Sequence, residues 1–187
     1  MKLVYAFCGS FCTHARSLEA LKVLAASHEI TPAFSEIVRS TDTRFGRADA
    51  LLSTVSGITG REPIFSVKEA EEVVTNGKFD AVVVAPCTGN TLAKLANGIT
   101  DGAVTMCVKA QLRSRGKVVI ALATNDGLSA NLFNIALMLE KKNVFFVPFG
   151  QDSPKGKPSS LVCDFGKIGE TLEEAMSGRQ IQPILVE

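Results

Sequence analysis

Short apolar runs and amphipathic segments alternate along the whole chain. Runs rich in β-branched or aromatic residues, such as LVYAFC at 3–8 and AVVVA at 81–85, are typical of buried parallel strands. Between such runs, apolar residues recur at helical spacing, as at Leu18, Leu21 and Leu24. The predicted strands are 3–8, 30–38, 63–65, 81–85, 118–123 and 144–147, and the predicted helices are 14–27, 48–56, 67–76, one starting near 91, 101–113, 130–142 and 167–177.

Local signals mark the ends of several of these elements. Ser66 and Glu69 have the spacing of a capping box at the start of a helix, and Gly77 and Gly178 are predicted to end helices. The segment 150–160, GQDSPKGKPSS, is polar, contains two prolines and is predicted to be a loop. Regular strand–helix alternation predicts a doubly wound α/β/α sandwich, Rossmann-like or flavodoxin-like, with a mostly parallel sheet and one domain over 1–187.

Composition excludes several classes of function. The chain has 187 residues, of which 46% are hydrophobic, and a formal net charge of +1, so no nucleic-acid-binding surface is indicated. No apolar run approaches the ~20 residues that span a bilayer, and no membrane association is expected. The five cysteines are scattered and no signal sequence is evident, which favours reduced thiols in a cytoplasmic protein. Cys8, Cys12 and His14 lie close in sequence, but core packing is favoured there, and we predict no metal site.

Four of the predicted strands end in polar, glycine-containing or hydroxyl-rich segments: CGSFCTH, VRSTDTRFG, APCTGNT and LATNDGLS. In an open α/β sheet such segments meet at the carboxyl edge, where ligands bind. Each segment alone has the composition of an ordinary turn. Together they favour a phosphate-bearing cofactor held near Gly9 and Ser10. The first turn lacks the G-x-G-x-x-G pattern, so a mononucleotide is predicted instead of a dinucleotide.

The segment 86–101, PCTGNTLAKLANGITD, resembles the P-A-S-A-N-T-L-A-K-L-A-N-G-I-A-D motif of the homo-oligomeric flavin-containing cysteine decarboxylases. The resemblance implies an FMN cofactor contacted by the first turn, by a hydroxyl after the second strand, by the 86–91 loop and by the turn after the fifth strand. The residues it implies are Gly9, Ser10, Phe11, Ser40, Thr41, Pro86, Thr88, Asn90, Thr91, Ala123, Thr124 and Asn125. The decarboxylases also use a histidine between the second and fourth strands, and this chain has none after His28, which weighs against cysteine decarboxylation.

Further blocks resemble the family of dipicolinate synthase B subunits over nearly the whole chain: STDTRFG at 40–46, ATNDGLS at 123–129, FVPFGQDSPKGKPSSL at 146–161 and QIQPILVE at the end. This resemblance implies a cytoplasmic flavoprotein of a sporulating mother cell that oxidises dihydrodipicolinate to dipicolinate. It also implies a partner, the A subunit, which carries NAD(P). A flavin-dependent decarboxylase and a non-catalytic scaffold protein are the alternatives.

The implied substrate is a small dicarboxylate, which needs cationic or amide donors in the site. We predict that Arg44 binds one carboxylate, because a guanidinium does so in a bidentate manner, and that Asn90 contacts the flavin or the substrate. No general base is evident in the sequence.

The predicted helix 101–113 carries Val104, Met106, Cys107 and Val108 with few charges. We interpret this apolar surface as an interface and expect a homo-oligomer, a trimer or a multiple of it, as the family resemblance also implies.

Overall fold

The computed structural model describes residues 1–186 and contains a seven-stranded sheet with strand order β2-β1-β3-β4-β7-β6, in which β5 also pairs with β4. Strands β1, β2, β3, β4 and β5 are parallel, whereas β7 pairs antiparallel with the end of β4 and with β6. The strands are β1 (Lys2–Phe7), β2 (Glu29–Phe34), β3 (Ala81–Cys87), β4 (Lys117–Thr124), β5 (Val144–Phe146), β6 (Phe149–Ser153) and β7 (Lys157–Cys163).

Two groups of helices cover the sheet. Helices α1, α2, α3 and α8 contact one another, and α4, α5, α6 and α7 form the second group. This is the predicted α/β/α fold with a mostly parallel sheet. The helices are α1 (His14–Ala25), α2 (Glu36–Ser40), α3 (Ala48–Thr59), α4 (Val67–Gly77), α5 (Gly89–Ala96), α6 (Ala103–Arg113), α7 (Leu132–Leu139) and α8 (Ile168–Met176).

The parallel strands are buried on both faces, as continuous apolar runs require. Every residue of β3 is buried, and so are all residues of β4 between its two ends. The capping box of α4 is confirmed: Ser66 accepts the amide of Glu69, and the Glu69 carboxylate accepts the amide of Ser66. Gly178 follows α8 with φ 75°, the left-handed conformation expected of a glycine that ends a helix.

Three predicted elements differ from the structure. The second strand ends at Phe34, because Phe34 pairs with Phe7, the last residue of β1, and residues 36–40 turn into α2. The segment 150–160 is largely a β-hairpin of β6 and β7, not a loop. Its polar residues and Pro158 are compatible with strands because the hairpin forms the edge of the sheet. The predicted third strand is reduced to one parallel bridge between Ile64 and Ala33.

The expected interface on α6 is also wrong. Val104, Met106, Cys107 and Val108 are each at most 5% exposed, because α6 packs against α4, α5 and the sheet of its own chain. The apolar residues of this helix therefore belong to the core of the single chain. Large exposed apolar side chains occur instead on α7, where Phe133 is 71% exposed.

None of the helices within residues 1–186 is long and apolar enough to cross a membrane.

Candidate flavin site at the carboxyl edge of the sheet

A cavity of about 520 Å³ opens at the carboxyl edge of the sheet, where β1, β2 and β3 end. This volume is in the range of small-molecule sites. We call it the edge cavity. Its wall is built from the turn after β1, the start of α2, the start of α5 and the segment that begins α6, and its lining residues are Gly9, Ser35, Glu36, Ile37, Ser40, Thr88, Asn90, Thr91, Lys94, Asp101, Gly102, Ala103, Val104 and Thr105.

Helix N-termini dominate this cavity. Helices α5 and α6 both begin at its wall, and within residues 1–186 the amides of Gly89, Asn90, Ala103 and Val104 donate to no protein acceptor. Unpaired amides and the positive ends of two helix dipoles favour an anion. The arrangement therefore suits a phosphate group.

Thr88 fixes the start of α5. Its side-chain oxygen accepts the amide of Thr91 at 3.1 Å and its hydroxyl donates to Thr91 Oγ1 at 3.0 Å. This N-cap explains why the polar turn after β3 leads directly into a helix. It also leaves the first two amides of α5 at the edge cavity.

Ser35 is a candidate site residue that the sequence patterns did not indicate. Its hydroxyl oxygen is buried and has no hydrogen-bond partner within residues 1–186, and Ser35 lines the edge cavity at the start of α2. A buried hydroxyl without a partner is costly unless a ligand satisfies it. The sequence does contain a signal for this turn, because a serine directly before Glu36 is typical of a helix N-cap. Ile37 and Val38, however, continue the apolar pattern of β2 and favour a longer strand.

Gly9 allows α2 to approach the first turn. A Cβ placed on Gly9 would lie 3.1 Å from Ile37 Cγ2. A larger residue at this position would therefore crowd the Ile37 side chain on α2.

One basic residue, Lys94, lines the edge cavity. Its ammonium lies 2.8 Å from Asp101 Oδ2, and this hydrogen bond lowers the pKa of Asp101. Because Lys94 is paired, amides and hydroxyls are the main donors to an anion in this site.

Of the sequence-predicted cofactor residues, the structure brings Gly9, Ser40, Thr88, Asn90 and Thr91 together in the edge cavity. The Ser40 hydroxyl already donates to the carbonyl of Glu36 at 2.8 Å, whereas the Asn90 side chain makes no hydrogen bond within residues 1–186. The remaining predicted residues, which do not line this cavity, are Ser10, Phe11, Thr41, Pro86, Ala123, Thr124 and Asn125.

Pro86 and Ala123 are buried in the strands that precede the loops, and Asn125 is exposed. Ser10 precedes a short 3₁₀ turn and accepts hydrogen bonds from Thr13 through its carbonyl. Phe11 and Thr41 line a second cavity, on the other side of α2.

Thr124 belongs to a polar network beneath α5. Its hydroxyl donates to Asp126, whose carboxylate also accepts the Asn131 side-chain amide at 3.0 Å. A Cβ placed on Gly89 would lie 2.5 Å from Thr124 Oγ1 and 2.7 Å from Asp126 Oδ1. The network therefore supports the first residue of α5 from the side of β4.

The structure does not place Arg44 at the edge cavity. Arg44 is exposed, and its guanidinium lies 4.8 Å from the ring centroid of the neighbouring Phe45. Arg44 and Asn90, the two predicted catalytic residues, are therefore not brought into one site.

The fold and the edge cavity define a class of protein. The chain matches the Flavoprotein family model over residues 16–175, and it belongs to that family. Within the family it is a homologue of the dipicolinate synthase B subunit. It is 38% identical to that protein of Bacillus subtilis over 187 residues, covering 100% of this chain and 94% of the relative.

Solved structures agree with this assignment. The crystal structure of the dipicolinate synthase B subunit from Bacillus halodurans is 37% identical and matches with a TM-score of 0.91, over 100% of this chain and 96% of that one. The FMN-dependent cysteine decarboxylase SpaF shares the fold at 23% identity, with a TM-score of 0.67 over 94% and 97% of the two chains.

Proposed function

We propose that this chain is the FMN-binding component of a dipicolinate synthase and works with an A subunit that carries NAD(P) to oxidise dihydrodipicolinate to dipicolinate. The observation that carries the flavin assignment is a cavity bounded by the N-termini of α5 and α6, with the buried, unpartnered hydroxyl of Ser35 in its wall. Membership of the Flavoprotein family and homology to the dipicolinate synthase B subunit support the rest of the proposal.

The residues present fit FMN. The phosphate would be held by the hydroxyl of Ser35 and by the free amides at the starts of α5 and α6, since these donors lack protein acceptors. When bound, a flavin supplies an acceptor for the hydride that leaves the substrate. The free side-chain amide of Asn90 is a donor for the flavin ring or for a substrate carboxylate.

The first experiment measures flavin binding by Ser35→Ala. Removing an unpartnered hydroxyl leaves the stability of the flavin-free protein unchanged or higher, but it removes a donor to a charged phosphate worth about 1.5–3 kcal/mol. We expect FMN affinity to fall roughly 10- to 100-fold. Fluorescence titration with FMN, together with thermal unfolding of the flavin-free protein, separates the two effects.

Two controls accompany this variant. Ser53→Ala alters an exposed serine on α3 and should leave FMN affinity unchanged. Ser40→Ala should have little effect, because its hydroxyl is already committed to Glu36. FMN binding by Ser35→Ala with wild-type affinity would remove the main support for the site.

The second experiment tests the reaction. The chain is combined with the A subunit, and dipicolinate formation is followed with and without FMN. Activity that requires FMN and is lost in Ser35→Ala supports a redox role. Full activity of a flavin-free complex would instead support the scaffold alternative.

A further inference from the structure

A small pit of about 200 Å³ lies next to the edge cavity, between the end of α5 and α6. We call it the α5–α6 pit. Thr105 lines both the pit and the edge cavity, so the two share a wall. The apolar side chains of the pit are Leu95, Ile99, Val108 and Leu112, and its basic side chains are Lys109 and Lys141.

The pit is apolar and open to solvent. Ile99 is 47% exposed, whereas Leu95 and Val108 belong to the core and are at most 8% exposed. Gly98 also lines the pit, and a Cβ added to it would meet no atom within 4 Å. An exposed large apolar side chain above an apolar floor is typical of a place where a partner inserts an apolar anchor.

The positive charges around the pit are not neutralised. No ion pair within residues 1–186 involves Lys109, Lys141, Lys142 or Arg115. No carboxylate lines the pit, and residues 103–118 contain no aspartate or glutamate. A carboxylate from outside the chain is therefore the missing counterpart of these lysines.

The positive charge continues from the pit along the turn that joins α7 to β5. The Asn143 side chain accepts from Lys117 Nζ at 2.9 Å and donates to the carbonyl of Arg115 at 3.1 Å. These hydrogen bonds hold the turn that carries Lys141 and Lys142 against the end of α6. We call the result the basic surface, and its residues are Lys109, Arg115, Lys117, Lys141 and Lys142.

This concentration of charge stands out in a chain whose formal net charge is only +1. Positive charge beside an apolar pit is complementary to a segment in which an apolar side chain is flanked by carboxylates. A nucleic acid fits less well, because no aromatic side chain lines the pit for a base to stack on. The chemistry of the surface therefore favours an acidic protein segment.

We propose that the basic surface and the α5–α6 pit dock an acidic segment of a protein partner. An apolar side chain of that segment occupies the pit, and its carboxylates pair with Lys109 and Lys141. The identity of the partner as the A subunit rests on the proposed dipicolinate synthase function, whereas the chemistry of the segment does not. Because the pit and the edge cavity share a wall at Thr105, the docked partner lies next to the candidate flavin site.

The probe is the purified A subunit, and surface plasmon resonance gives its association and dissociation rate constants with the full chain. Lys109→Glu and Lys141→Glu should each lower the association rate constant about three- to tenfold at low salt and weaken its dependence on salt. Ile99→Ser should instead raise the dissociation rate constant about three- to tenfold, because it removes an apolar contact.

Lys68→Glu is the matched control. Lys68 is an exposed lysine on α4, outside the basic surface, and it takes part in no ion pair within residues 1–186. The same change of charge at this position should alter neither rate constant by more than about twofold. Circular dichroism and FMN titration should give wild-type results for all four variants, because none of the changed residues lines the edge cavity.

Three results would overturn the proposal while leaving the proposed function intact. The first is wild-type binding kinetics in Lys109→Glu, Lys141→Glu and Ile99→Ser. The second is unchanged binding of the A subunit together with a smaller homo-oligomer in light scattering, which would assign the surface to a second copy of the chain. The third is a short DNA duplex that binds the wild type and is lost in the two lysine variants while the A subunit still binds them normally.

Failure of the proposed function has a different signature. If the wild-type chain forms no complex with the A subunit, both the proposed partnership and this docking surface are refuted. Loss of FMN binding in Ser35→Ala, with normal binding of the A subunit, would support a docking surface distinct from the flavin site.

Discussion

Replacing Gly89 with alanine tests the packing that supports the candidate flavin site. Gly89 is the first residue of α5, and an added Cβ would lie 2.5 Å from Thr124 Oγ1 and 2.7 Å from Asp126 Oδ1, as well as against the Asn131 amide. Real Cβ atoms do not approach other atoms this closely, so either α5 shifts or the Thr124–Asp126–Asn131 network opens.

The expected cost follows from these contacts. Overpacking costs about 1–3 kcal/mol. Disturbing hydrogen bonds to the Asp126 carboxylate adds about 1.5–3 kcal/mol. Up to about 1 kcal/mol is regained because alanine favours a helix more than glycine does. We expect Gly89→Ala to lose about 2–4 kcal/mol of unfolding free energy, or about 4–16 °C in melting temperature for a chain of this size.

Chemical denaturation monitored by circular dichroism measures the change, and FMN titration shows whether the start of α5 has moved. Gly57→Ala is the matched control, because Gly57 lies inside α3 with no atom within 4 Å of an added Cβ. That variant should gain about 0.5–1 kcal/mol. Thr124→Ala should partly rescue Gly89→Ala by making room, giving a favourable coupling in a double-mutant cycle. If Gly89→Ala is as stable as the wild type and binds FMN normally, the packing argument is wrong.

Predictions also follow for the thiols, the capping box of α4 and the surface of α7. One thiol per native chain, Cys12, should react rapidly with iodoacetamide at about pH 8. The other four thiols are buried, and burial raises the pKa of Cys107, for example, to about 12. Mass spectrometry counts the labels, and two fast labels would contradict this prediction. Ser66→Ala should destabilise the protein by about 1 kcal/mol through loss of a helix cap. The backbone amide of Phe65 donates to the Glu69 carboxylate and lowers its pKa. The stability that ionised Glu69 contributes is therefore present above its unfolded-state pKa of ~4.3 and is lost as the pH falls through its folded-state pKa. In urea unfolding, the stability of Glu69→Gln should differ from that of the wild type at about pH 7 and converge with it in acid. Phe133→Asp should convert the expected homo-oligomer to a 19.9 kDa monomer in light scattering, because Phe133 is the most exposed large apolar residue on α7; an unchanged mass would exclude α7 as the interface.

The sequence determined the features that depend on neighbouring residues. The apolar run 81–85 became the buried core of β3, because a strand covered on both faces needs apolar side chains at every position. The capping box at Ser66 and Glu69 formed as predicted, since its hydrogen bonds join residues three positions apart. The polar turn after β3 and the helix that follows it were likewise predicted, although α5 begins at Gly89, two residues before the predicted start near 91.

Tertiary structure decided where strands end and which surfaces meet. The family resemblance implied Ser40 or Thr41 as the hydroxyl after the second strand, which the apolar pattern extended through Ile37 and Val38. Pairing with β1 ends β2 at Phe34 instead, and this shifts the hydroxyl at the strand end to Ser35. The local sequence pattern does not contain the end point of β2, because the length of the neighbouring strand β1, which is far away in sequence, sets that end point.

The same reason explains the hairpin and the apolar helix. Polar residues and prolines in 150–160 are acceptable in strands only at the edge of a sheet, and edge position is a property of the assembled sheet. An apolar helix face predicts that the face is buried, but it does not predict which surface covers it. The apolar residues of α6 are covered by α4, α5 and the sheet of the same chain. The separation of two cavities by α2 was likewise beyond the sequence, because it depends on how one short helix packs between the first turn and α3.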